Sequence, residues 1–183
     1  MTAHVALLRG INVGGKNLIR MPDLADAISR AGCTNVSTYI QSGNVLLTTE
    51  TLSGTQLEEH LERALDERFN LPIRVVTRTR DELARIVTSA PADHGSPLLR
   101  SDVIYLKHPL TVEDALARFP EPREGVDTVT PGPGVIYFSR LDAQASKTRL
   151  TRIIGTPDYQ YMTIRNWRTT TKLLELMNAG SSG

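Results

Sequence analysis

Only one cysteine, Cys33, occurs in the 183-residue chain, which excludes a disulfide framework and a cluster of thiolate metal ligands. Histidine is nearly as scarce. His4, His60, His94 and His108 are scattered without metal-ligand spacing, so no metal is expected. No Gly-x-Ser-x-Gly elbow is present, and Cys33 follows a helix-closing Gly32, where a structural role fits better than a nucleophilic one. The formal net charge is only +1, too small for a global field that would recruit nucleic acid or an acidic membrane. Long apolar runs are also missing. Val5–Leu8, followed at once by Arg9, is too short for a signal peptide or a membrane span, which predicts a cytosolic protein with no membrane partner.

What charge there is lies unevenly. Residues 9–20 carry Arg9, Lys16 and Arg20 with no acid. Residues 143–172 carry Lys147, Arg149, Arg152, Arg165, Arg168 and Lys172 against Asp158 alone, while Glu58, Glu59, Glu62, Asp66 and Glu67 crowd together elsewhere. Such segregation is what a localised anion-binding face would show, and surface helices also segregate charge for solubility alone.

The element signals repeat. Val5–Leu8 reads as a buried strand, and Pro22 opens a helix with Leu24, Ile28 and Ala31 on its apolar face. Val36–Gln41 and Val45–Thr49 are strands joined at Ser42-Gly43-Asn44. Ser53 and Gln56 form a capping box for a helix whose stripe is Leu57, Leu61, Ala64, Leu65 and Phe69, and a strand follows at Ile73–Thr77. Thr79 with Glu82 caps a connecting helix that Pro91 ends. The order then recurs: a strand at Val103–Lys107, a helix around Val112–Phe119, strands at Thr128–Thr130 and Val135–Ser139 around Pro131–Gly134, a helix over Ser146–Ile154 and a strand at Tyr161–Ile164. A last helix covers about Trp167–Asn178. The pattern predicts an α+β protein built as a tandem pair of ferredoxin-like (βαββαβ) halves, 1–78 and 98–183, joined by a connecting helix and linker over 79–97 and closed by a C-terminal helix. The final Gly180–Gly183 carries no structural signal.

That topology places the loop after the first strand and the hairpin tip at the same end of a sheet. In the first half it brings Gly10–Arg20 beside Gln41–Asn44. At the opposite end sit the start of the second helix and the end of the fourth strand, so the second half brings Ser146 and Lys147 beside Arg165, Asn166 and Trp167. Asn166 is a suitable N-cap for the last helix, and a helix N-terminus flanked by cations suits an anion.

Three stretches, Ala6–Asn17 (Ala-Leu-Leu-Arg-Gly-Ile-Asn-Val-Gly-Gly-Lys-Asn), Thr38–Asn44 (Thr-Tyr-Ile-Gln-Ser-Gly-Asn) and Thr163–Thr169 (Thr-Ile-Arg-Asn-Trp-Arg-Thr), together resemble the domain of unknown function 1697 family, small soluble proteins found mainly in bacteria. The family has a Gly-x-Gly-x-Ser-Lys segment before the second helix of the second half. Here Leu141–Lys147 keeps Ser146 and Lys147 without the glycines. The resemblance implies no activity.

Each motif has a bland reading beside the functional one. Gly10–Lys16 matches the spacing of a phosphate-binding P-loop, but Asn17 stands where a Mg²⁺-binding Ser/Thr is needed and the helix starts some residues later. A glycine-rich loop with positive φ, or a backbone nest for an anion, both remain. Gly43 and Asn44 suit a turn, whereas Gln41 and Ser42 offer polar groups to a ligand. Tyr105, Tyr137 and Phe138 lie on strands but lack the RNP1 pattern of an RNA-stacking platform. The combined expectation is a binding protein for a phosphorylated ligand or nucleic-acid backbone through Arg9, Asn12, Lys16, Asn17, Gln41, Ser42, Asn44, Ser146, Lys147, Arg165, Asn166, Trp167 and Arg168. The competing class is an enzyme acting on a small anionic substrate in a cleft between the halves, with Lys16 or Lys147 as electrophilic groups.

Overall fold

The apolar runs fold into two four-stranded antiparallel sheets. A computed structural model describes residues 1–180, in the order β1 (Thr2–Leu8), α1 (Met21–Arg30), β2 (Thr34–Tyr39), β3 (Asn44–Thr49), α2 (Gly54–Phe69), β4 (Val75–Thr79), α3 (Arg80–Thr88), β5 (Leu99–Leu106), α4 (Val112–Ala117), β6 (Asp127–Gly132), β7 (Val135–Leu141), β8 (Met162–Asn166) and α5 (Trp167–Gly180). The strand orders are β2-β3-β1-β4 and β6-β7-β5-β8. The chain divides into two compact units, Met1–Leu83 with the end of the chain from Leu173, and Ala84–Lys172.

Strand alternation sets the first core. Ala6 and Leu8 of β1 share a sheet face with Val45 and Leu47 of β3, and that face takes Leu24, Ala27 and Ile28 of α1 and Leu57, Leu61 and Leu65 of α2. The helical residues recur at three- and four-residue steps, and each fully buried leucine contributes about 2 kcal/mol of transfer free energy. In the second unit Ile104, Leu106, Ile136, Phe138 and Met162 form the corresponding face, covered by Ala115 of α4 and by Ile153.

Thr79 and Glu82 form a reciprocal capping box at α3: the Thr79 N–H donates to Glu82 Oε2 at 2.7 Å, and the Glu82 N–H donates to Thr79 Oγ1 at 3.2 Å. The box expected at Ser53 is not formed, because the chain enters α2 through Gly54 at φ +52° and the Ser53 side chain makes no capping bond. Pro131 and Gly132 belong to β6 rather than to the turn; β6 is an edge strand, where proline is tolerated.

The helix expected over Ser146–Ile154 is absent. Three short 3₁₀ segments (Asp142–Lys147, Leu150–Gly155 and Pro157–Tyr161) fill the connection. Asp127 competes with helix formation there: its carboxylate accepts from Thr148 Oγ1 at 2.6 Å and from the Arg149 N–H at 2.9 Å, diverting a donor that a helix would use. Burial works to raise the Asp127 pKa. These bonds, one from the Arg123 N–H and the nearby Arg140 outweigh it, and the carboxyl is held below its ordinary value. Ile153 is the one buried residue across Asp142–Gly155, too few for a helical stripe.

Candidate functional site: a basic cleft at the end of the second sheet

The two motif-bearing corners differ in what their polar groups do. In the first unit the loop after β1 reaches back over the β2–β3 hairpin. Asn12, at φ +54°, donates from Nδ2 to the Ile19 carbonyl (3.0 Å) and to the Gln41 carbonyl (2.9 Å), and its Oδ1 accepts from the Ile19 N–H (2.8 Å). Asn17, at φ +49°, donates to the Gly10 carbonyl at 2.9 Å. Asn44 is fully buried and donates to the Tyr39 carbonyl and to Ser42 Oγ, both at 3.0 Å. The Arg9 N–H donates to the Arg74 carbonyl. These carboxamides therefore hold the loop and the hairpin together. Lys16 and Gln41 are exposed, with the Gln41 carbonyl already used by Asn12. The loop does not run into a helix: Val13 and Lys16 make an isolated bridge and α1 begins at Met21, so no helix N-terminus backs the glycines.

The second corner is open. The start of β5, the end of β7 and the end of β8 lie together, because β5 pairs antiparallel with both neighbours. A cleft of about 620 Å³ there is lined by Gly95, Leu99, Arg100, Ser101, Asp102, Arg140, Asn166, Trp167, Arg168 and Thr171. Asn166 caps α5, its Oδ1 accepting from the Thr169 N–H at 2.8 Å. Trp167 packs edge-on against His94, ring centroids 4.8 Å apart, and a Cβ on Gly95 (φ +87°) would collide with its indole Cδ1. Arg140 pairs with Asp102 at 2.6 Å, both largely shielded, and Arg100 pairs with Asp142 at 2.5 Å at the surface. The Arg168 guanidinium is exposed and has no partner among the described residues. Three guanidinium groups against two carboxylates, beside the positive end of a fourteen-residue helix, leave this cleft electropositive.

Ser146 lines an adjoining hollow of about 510 Å³ that shares Arg100 and Arg140 with the cleft. It thus comes to the expected end of the sheet but not into one pocket with Asn166 and Trp167. It also lies inside a 3₁₀ segment rather than at a helix start. Lys147 lines neither hollow and donates to Gln144 at 3.3 Å. Arg165 is buried in β8, its Nη1 donating to the Ile164 carbonyl at 2.9 Å, and burial pulls its pKa down to about 10 despite nearby Tyr105. It does not line the cleft.

Sequence reasoning missed Arg100 and Arg140. They are register partners on β5 and β7, and the same topology that placed Ser146 puts the beginning of β5 at that end. The start of the second helix and the end of the fourth strand are expected at that end; the start of the first strand of the half lies there too. Tyr105, Tyr137 and Phe138 are all fully buried, so none offers a base-stacking surface. Among the described residues no group of three metal-ligating side chains converges, and no helix is long and apolar enough to cross a membrane.

Fold and cleft together define an α+β protein of two antiparallel sheets, the second carrying an electropositive hollow at one end. The chain belongs to the family described as Protein of unknown function (DUF1697), which it matches over residues 1–137. The Thr163–Thr169 stretch lies beyond that match. The fold as a whole is similar to the structure of conserved bacterial protein SP0830 from Streptococcus pneumoniae, with 27% identity, a TM-score of 0.85, and 96% of this chain and 98% of that one covered. No curated relative matches the chain.

Proposed function

We propose that this is a cytosolic binding protein for a phosphorylated ligand or a nucleic-acid phosphate backbone, with the ligand held in the Arg100–Arg140–Arg168 cleft. We further read both units as ferredoxin-like, on the support of their strand orders. The observation that carries the binding reading is the Arg168 guanidinium, exposed and without a partner among the described residues, on a cleft lined by the first turn of α5. Arg100 offers a second cation whose surface pairing to Asp142 is weak enough to exchange for a ligand. Arg140 is fixed by Asp102 and supplies a positioned fork. In the first unit the side chains of Lys16 and Gln41 are exposed, so a contact there would come through them.

Isothermal titration with mononucleotides and short oligonucleotides tests the reading. Wild type binds, and Arg168→Ala weakens binding about tenfold, the loss of one charge-assisted bond. A steep fall in affinity with salt assigns a nucleic-acid backbone, and a shallow one assigns a small ligand. Absence of binding, or binding indifferent to Arg168→Ala, ends the proposal.

A further inference from the structure

One wall of the cleft carries a chain of hydroxyls that the binding reading does not use. Ser101 lies on that wall, and its Oγ stands 3.0 Å from Ser139 Oγ, which stands 3.0 Å from His94 Nδ1. All three side chains are more than nine-tenths buried. The Gly95 N–H donates to Ser101 Oγ at 2.9 Å, which fills an acceptor site of that hydroxyl and leaves its hydrogen for Ser139. One direction the geometry allows is Ser101 O–H to Ser139, and Ser139 O–H to His94 Nδ1, with the ring proton on Nε2. The His94 ring is fixed between Tyr137 and Trp167, centroids 5.3 and 4.8 Å away, and its Nε2 has no partner among the described residues.

We propose that Ser101 is a nucleophile, that His94 acts through Ser139 as its base, and that the cleft hydrolyses esters bearing an anionic group. The charge preference rests on the anion-binding reading; the chemistry does not. Ser101 Oγ attacks the ester carbonyl carbon and forms the new C–O bond. Its proton passes to Ser139 while the Ser139 proton passes to His94 Nδ1. The bond to the leaving alcohol breaks, and the alkoxide takes up a proton returned along the same chain. Water then attacks the acyl-serine, releases the acid and restores the hydroxyl. His94 must be neutral to accept. Burial lowers its pKa, and the carboxylates facing it, Asp102 of β5 and Asp93 of its own loop, only partly oppose that.

Two sulfonyl fluorides test this on the full chain: 4-(fluorosulfonyl)benzoate, which is anionic, and phenylmethanesulfonyl fluoride, which is neutral. In each case the Ser101 O–S bond forms, the S–F bond breaks, fluoride leaves and the proton goes to His94. Intact-mass and peptide mapping should find a single adduct at Ser101, absent in Ser101→Ala. In wild type the labelling rate should be flat near pH 7–8 and fall as pH drops through a histidine pKa below about 6.5. His94→Gln, with native Trp167 fluorescence as the folding control, should react at least tenfold more slowly. Arg168→Ala should slow the anionic reagent more than the neutral one. If both reagents label Ser101 equally and Arg168→Ala affects neither, the charge reading fails and the relay stands. No adduct at Ser101, or one that forms as fast at pH 5 as at pH 8, overturns the relay.

Discussion

The Gly10–Asn17 corner of the first unit and the Arg100–Arg168 cleft of the second contain similar ingredients: glycines at positive φ, asparagines and exposed cations. They use them in opposite ways. In the first corner, Asn12, Asn17 and Asn44 spend their donors on carbonyls and a hydroxyl of the loop and hairpin. In the second, the single capping asparagine satisfies the N–H of Thr169, and the cations stand on an open hollow. A motif rich in polar residues is therefore no guide by itself to ligand contact. What separates the two corners is whether backbone groups nearby already use the side chains.

The largest test of that contrast is Gly43→Ala. A Cβ there would stand 2.7 Å from Ile11 Cδ1 and 2.9 Å from Leu8 Cβ, at φ +76°. The substitution should cost about 3 kcal/mol in urea unfolding and leave anion binding in the second unit unaltered. Next comes Asn44→Ala, which should lose about 2 kcal/mol because the Tyr39 carbonyl loses its donor in a buried setting. A loss of ligand affinity without loss of stability would reverse the assignment of that corner. Arg168→Ala and Lys16→Ala then form a pair. The first should weaken binding about tenfold, near 1.4 kcal/mol, with an unchanged unfolding midpoint. The second should change neither, and the reverse ranking would exchange the roles of the two corners.

The smallest effect is with pH. Each unit buries a histidine, His4 and His94, and desolvation lowers both pKa values, with Glu82 opposing at His4 and Asp102 and Asp93 at His94. The unfolded chain then binds protons that the folded chain does not. Stability is full above the ordinary histidine value of about 6.5 and falls as pH drops from there toward the lowered folded values. Urea midpoints at pH 7.5 and 5.5 should show it, at no more than about 1.4 kcal/mol per histidine per pH unit. His4→Phe should remove one share of the slope and His94→Gln the other.

Much of this was legible in the residues. Pro22, the Leu57–Leu61–Leu65 steps, the Thr79–Glu82 box and Asn166 act through local geometry, and each stands where its spacing says. The α+β class was legible in the alternation of strand and helix signals, which fold into two four-stranded antiparallel sheets with helices. The Ser146–Ile154 stretch was misread because the carboxylate that reshapes it, on Asp127, is some twenty residues away in the chain. Arg165 looked like a ligand contact by its charge, and its place on β8 buried it.

By itself the sequence determined most of the strands and helices, the capped start of α5 and the presence of a basic C-terminal region, all of which depend on neighbours within one or two turns. Which cations face a hollow was decided only by strand register, which sets Arg100 against Arg140 and Asp102 against Asn166. The same register joined Ser101 to Ser139 across β5 and β7 and delivered them to His94. Pairings of that kind bring together residues roughly forty to sixty-five positions apart, and no local pattern records them.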